Sequence, residues 1–226
     1  MSWPGSESVL VEDQRRLALE RPEPWRAPEG PLRIGACVVV FARGQSGLGA
    51  RGDRGWAAAA VHRGARLLAS SSLDCRAGGP YVPGLLALRE GSCLAAAVRA
   101  LPEPPEVLLV DATGRDHPRR AGLAVHLGAI AGLPTVGVTH RPLMARGDWP
   151  PDDRGALAPL RVDDEVVGMW LRTRRGARPI AVHPGWRTDL ETAVRMVLRA
   201  TSGHRTPEPF RTARRLARTR RAESGR

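Results

Sequence analysis

Residues 107–143 read VLLVDATGRDHPRRAGLAVHLGAIAGLPTVGVTHRPL, and that order leaves few folds open. Val107-Leu108-Leu109-Val110 is a short, unbroken apolar run, the pattern of a strand buried on both faces. A helical pattern over 120–131 follows, and a second apolar strand over 135–138 completes a strand-helix-strand crossover. Such a unit makes the chain α/β, with helices covering a sheet. In open sheets of this class ligands bind outside the carboxyl ends of the strands, so Asp111, which ends the first run, stands where a site is expected.

The flanking segments extend the same architecture. A short helix over 9–19 is followed by Pro22, Pro24, Pro28 and Pro31, which enforce an extended connector over 20–31. Strands are expected over 34–42, 56–61 and 65–71, joined by a glycine-rich 44–55 segment and a tight turn at 62–64, as an antiparallel meander. Gly78-Gly79-Pro80-Tyr81-Val82-Pro83-Gly84 is a stiff turn into a helix over 85–101 that carries Leu86, Glu90 and Cys93 at helical intervals. Residues 148–159 read as a surface loop, and 166–171 and 180–182 as later strands. Thr188-Asp189-Leu190-Glu191 fits a capping box ahead of Ala193, Val194, Val197 and Leu198. The arginine-rich 210–221 segment is an amphipathic helix or a frayed tail, with Phe210, Ala213, Leu216 and Ala217 able to form one apolar stripe. These elements are expected to form one domain over 1–226, with a tail from 210 to 226.

All 35 fixed basic side chains are arginine, against 23 acidic residues, and the resulting charge of +12 fits a polyanionic partner such as nucleic acid. Cys37, Cys75 and Cys93 form no Cys-x-x-Cys pair and are odd in number, which argues against a disulfide framework and against a zinc site. No apolar run approaches membrane-spanning length, and the first residues lack the pattern of a secretory signal. The expectation is a soluble, cytoplasmic, monomeric protein with no membrane contact and no small-molecule cofactor.

Four separated patches give the chain a family resemblance. They are Pro80-Tyr81-Val82-Pro83-Gly84 with Arg89-Glu90-Gly91; Val110-Asp111 through His117-Pro118-Arg119-Arg120-Ala121-Gly122-Leu123-Ala124; residues 132–138; and Pro184-Gly185 through Leu190-Glu191-Thr192-Ala193. Together, and in this order, they resemble the endonuclease V family, which cleaves nucleic acid near deaminated adenine, that is, inosine or hypoxanthine. The resemblance implies an RNase H-like fold, a central mixed sheet of antiparallel meander and parallel strands flanked by helices. It also implies DNA or RNA as partner and phosphodiester hydrolysis dependent on Mg²⁺, or Mn²⁺, held by carboxylates. On this resemblance Asp111 and Glu90 are the metal-binding and catalytic acids. Tyr81, in the Pro80 to Gly84 turn, corresponds to a wedge pushed into the duplex, and the flipped base is enclosed around Gly84, Leu86, Ala112, His117 and Leu123. Arg119, Arg120 and the C-terminal Arg211, Arg214, Arg215 and Arg218 are candidate phosphate contacts. His126 reads as a packed histidine.

The sequence departs from the family pattern in three places. Val38 stands where the family carries an aspartate in its first strand, His140 where it carries a lysine, and Trp186 where it carries a histidine or acid. Valine offers no ligand, and His183 and Arg141 are the nearest substitutes in sequence. Three readings follow: a homologue that recognises inosine but is impaired in cleavage, an active endonuclease with a rearranged metal site, and a non-enzymatic structural or protein-partner role on the same fold.

Overall fold

The computed structural model describes residues 3–42 and 47–224; the first two residues, positions 43–46, which include the start of the expected 44–55 connection, and the last two residues of the tail lie outside the described residues. Helix α1 (Glu7–Leu19) opens the described chain, and Ser6 caps it by accepting a hydrogen bond from the Val9 amide. The meander consists of β1 (Ile34–Phe41), β2 (Arg54–Arg63) and β3 (Arg66–Arg76), paired antiparallel throughout. Helix α2 (Leu86–Arg99) leads to β4 (Val107–Val110), α3 (Leu123–Ala131) and β5 (Thr135–Thr139). The chain then runs through β6 (Leu157–Val162), β7 (Glu165–Leu171), β8 (Ile180–Pro184), α4 (Leu190–Arg199) and α5 (Glu208–Glu223).

All eight strands form one mixed sheet in the order β3-β2-β1-β4-β5-β8-β7-β6. The β1-β4 and β4-β5 pairs are parallel, which is what a crossover through α3 requires, and the outer pairs are antiparallel. Helices α1, α2 and α3 cover one face, where Leu10, Leu94 and Leu127 meet Cys37, Leu108 and Val110. Helices α4 and α5 cover the other, where Met196, Phe210, Ala213 and Ala217 meet Ala36, Val38 and Leu109. Four consecutive alanines in β2, residues 57–60, alternate between the two faces and leave room for helices to approach on both. This is the expected α/β, RNase H-like arrangement.

Several boundaries differ from expectation for identifiable reasons. β6 occupies the end of the segment read as a 148–159 loop; it is an edge strand, where Pro159 removes no ladder partner that the sheet needs. α3 starts at Leu123 rather than 120, because Arg120 adopts a left-handed φ of 55° inside the preceding turn. The cap of α4 is Asp189, which accepts from the Thr192 amide at 2.7 Å, while Thr188 instead donates to the Thr135 carbonyl at 2.6 Å. The C-terminal segment is a helix to Glu223, anchored by buried Phe210, Ala213 and Ala217. The proline-rich connector runs without regular structure, and the Trp25 amide ties it to the Arg187 carbonyl at 2.7 Å.

Candidate functional site

A cavity of about 300 Å³ opens at the carboxyl ends of β4 and β5. It gathers Tyr81, Val82, Pro83, Gly84, Leu86, Asp111, Ala112, His117 and Leu123, which come from three segments separated in sequence. Gln14 of α1, Thr139 at the end of β5, and Arg141, Pro142 and Leu143 beyond it add to the lining. The volume is at the lower end of the range for small-molecule sites, and the walls are mainly apolar with a few polar groups, as such sites require.

The lip of the cavity is built around one carbonyl. Gly84 takes a φ of 80°, which a side chain would resist, and its carbonyl oxygen accepts from Gln14 Nε2 at 3.1 Å, His117 Nε2 at 3.0 Å and Arg119 Nη2 at 2.8 Å. A carbonyl only accepts, so Nε2 of His117 carries the proton; Nδ1 then accepts from the Arg119 amide at 3.1 Å. Burial pushes the His117 imidazole down to about 4, so it is neutral at physiological pH and its two hydrogen bonds are fixed. Arg119 also donates from Nε to Gln14 Oε1 at 2.6 Å, so its guanidinium braces the turn. Arg120 is turned away and pairs with Glu165 at 3.3 Å. Gln14 is 1% exposed, and its partners show that it holds the turn.

Above this lip the turn projects outward. Tyr81 is 44% exposed between exposed Pro80 and Pro83, while its amide is tied to the Leu48 carbonyl at 2.6 Å. The base of the turn is held by buried Arg89, which donates to the Gly79 carbonyl at 2.8 Å and pairs with Asp53 at 3.0 Å. Asp53 is thereby committed to Arg89 and to the Ala50 amide, so it does not serve as a replacement acid for Val38.

The opposite wall depends on a residue the sequence did not single out. Asp116 is fully buried, and its carboxylate accepts from the amides of Leu143, Met144 and Ala145 at 2.7, 2.8 and 2.8 Å. These bonds hold the segment after β5, including Leu143, against the cavity. His126 stacks on Trp3 at 5.0 Å inside the helical layer, as a packed histidine.

The expected metal position is occupied differently. Arg214 of α5 donates from Nη2 to Asp111 Oδ2 at 2.6 Å, forming a partly exposed ion pair at the mouth of the cavity. The parallel β1-β4 register pairs Cys37 with Val110, so its continuation sets Val38 beside Asp111, and Val38 is 3% exposed in the α5-facing core. Glu90 has no basic partner within 4.0 Å among the described residues, and burial, then the charge of Asp111, pushes its carboxyl up to about 8. His140 lies exposed near the Asp111–Arg214 pair. Trp186 does not face these acids: it packs with Leu17, Ala121 and Val125, and its amide bonds to Thr135 at the far end of β5. The expectation that it replaces a site residue is therefore corrected. His183 is buried on β8, with Nε2 3.4 Å from Thr139 Oγ1.

Tested against Mg²⁺, this donor set does not fit. Among the described residues no group of three His, Cys, Asp or Glu side chains could hold an ion, and the one exposed carboxylate at the position already has a cation on it. Glu90, protonated up to about pH 8, gives a separate expectation. The folded state holds that proton more tightly than the unfolded chain, so its contribution to stability is complete below about pH 4.5 and is lost as pH rises toward 8. Thermal unfolding from pH 5 to 9 should show Glu90→Gln gaining on the parent protein by up to about 1.4 kcal/mol per pH unit within that window. Parallel curves would show that Glu90 is not buried as a neutral acid.

Fold and site together define an RNase H-like α/β protein with a pocket at the parallel strand ends, closed by a proline-bounded tyrosine turn. The sequence model described as Endonuclease V matches residues 46–215, and the chain belongs to the endonuclease V family. An endonuclease V of Roseiflexus castenholzii is 46% identical over 138 residues, a match spanning 61% of this chain and 62% of that protein. The crystal structure of endonuclease V from Streptomyces avermitilis superposes with a TM-score of 0.86 at 36% identity, covering 100% of this chain and 97% of that one. Endonuclease V of Ciona intestinalis, solved in complex with a 24mer DNA containing an inosine followed by a ribo-adenosine, shares the fold at a TM-score of 0.77 and 20% identity, covering 96% of this chain and 98% of that one. No helix among the described residues is long and apolar enough to cross a membrane.

Proposed function

We propose that this protein recognises deaminated adenine, as inosine or hypoxanthine in DNA or RNA, and that it is impaired in cutting the strand. The observation that carries the first half is the cavity, which collects the wedge turn and the residues aligned with the family's base pocket into one apolar space. The Ciona relative's complex with inosine-containing DNA supports the same substrate class. Tyr81 stacks beside the vacated position while the base enters between Leu86, Ala112 and Leu123. His117, neutral and locked in one tautomer, keeps the lip in place, and Glu90 and Asp111 remain from the family's acids. The second half rests on Arg214 at Asp111 and on Val38 beside it, which leave no carboxylate pair free for a dication.

Binding to inosine-containing and matched unmodified strands tests the recognition. Base-aromatic stacking contributes about 1–3 kcal/mol, so Tyr81→Ala should weaken inosine binding roughly tenfold and leave the unmodified strand less affected. Equal affinity for both strands, unchanged in the variant, would refute selective recognition.

A further inference from the structure

We propose that Arg214, held by Asp111, is a built-in cation for the backbone phosphate next to the recognised base, so that this protein grips inosine-containing strands without any divalent metal. The inference rests on the reading that the cavity receives the base. Asp111 lines both that cavity and the narrow cleft beside it, and Arg214 lines that cleft and a second, open groove of about 790 Å³ along α5. The ion pair is thus the junction between the two spaces. A guanidinium carries five donors, and Asp111 engages one nitrogen, Nη2, leaving donors for a phosphate oxygen. The Arg214 side chain is 27% exposed and extends over the Phe210 ring at 5.8 Å, so packing fixes its position while its polar end meets solvent.

The groove continues the same chemistry. It is lined by Arg211, Arg215 and Arg218 on one face of α5, and Arg215 and Arg218 have no carboxylate within ion-pair distance among the described residues. A strand whose base sits in the cavity leaves past Arg214 and enters a track of fixed positive charge. In a dication site, the acids need the metal before they tolerate a phosphate. Here Arg214 already compensates the charge of Asp111 and keeps unused donors for the anion, while Arg215 and Arg218 supply the net positive charge beside it.

The test is affinity for a single-stranded inosine oligonucleotide and its guanosine counterpart, in EDTA and in Mg²⁺, over a salt series. The parent protein should bind equally in EDTA and Mg²⁺, within about twofold. Arg214→Ala should bind about tenfold more weakly, with a salt slope shallower by about 0.7, the loss of one phosphate contact on a single strand. Arg214→Lys, which keeps the charge, should keep the slope and confirms that the effect is not misfolding. A requirement for Mg²⁺, or an Arg214→Ala protein with unchanged affinity and slope, overturns the proposal. If inosine and guanosine strands bind alike, base recognition fails, while the EDTA and Arg214 comparisons still decide the phosphate site.

Discussion

The double variant Val38→Asp/Arg214→Ala should acquire Mg²⁺ binding that neither the parent protein nor Val38→Asp alone displays. In Val38→Asp the new acid stands beside Asp111, but the guanidinium 2.6 Å from Asp111 remains between them and any ion. A dication about 4 Å from that charge meets a repulsion of roughly 8 kcal/mol at the effective dielectric of protein surfaces, a penalty that disappears with the arginine. Removing the arginine reverses the sign: the new aspartate and Asp111 then stand side by side on neighbouring strands, the hard-oxygen environment that Mg²⁺ requires. Calorimetric titration should show affinity at least 100-fold tighter in the double variant. Val38 is 3% exposed, so the added carboxylate lowers the unfolding temperature without metal, and Mg²⁺ should restore it in the double variant only. Tight Mg²⁺ binding by Val38→Asp alone would show that Arg214 does not block the position.

Loss of Asp116 is the largest expected single-residue effect on the fold. Asp116→Ala strands three amides, those of Leu143, Met144 and Ala145, in a site with no solvent access to Asp116. Charge-assisted bonds of this kind contribute about 1.5–3 kcal/mol each at most, and they are not additive, so a total on the order of 4 kcal/mol is expected. For a chain of 226 residues that lowers the unfolding midpoint by about 10 °C. Asp116→Asn, which keeps one accepting oxygen, should lose less. Because Leu143 lines the cavity, inosine binding should fall in both variants at temperatures where they remain folded. A midpoint within 2 °C of the parent would mean that the carboxylate does not hold this wall.

The parts of this site that were legible in the sequence are those where local pattern and topology act together. The apolar run 107–110 ending on Asp111, with its crossover to 135–138, fixed the parallel centre of the sheet and the end at which the cavity opens. The proline-bounded turn around Tyr81 was visible because rigidity there is written in residue type. What escaped depends on partners distant in the chain. Asp116 looks like an ordinary turn residue until the segment 27–29 positions later folds onto it. Gln14 gains its role from Gly84, 70 residues away. Arg214 is legible only as one of several candidate phosphate contacts on the C-terminal segment, and it is the packing of α5 across β1 that brings it to Asp111. Trp186 shows the converse: its place in a motif suggested a site residue, but the antiparallel pairing of β8 with β5 carries it to the far end of the strand.

Base recognition should survive here while Arg214 closes the hydrolytic centre. Incubation with an inosine-containing strand in Mg²⁺ or Mn²⁺, followed by separate measurement of bound and cut strand, separates the two. The strand should be bound in preference to its unmodified counterpart and left uncut. Efficient cleavage that disappears in Asp111→Ala would contradict it.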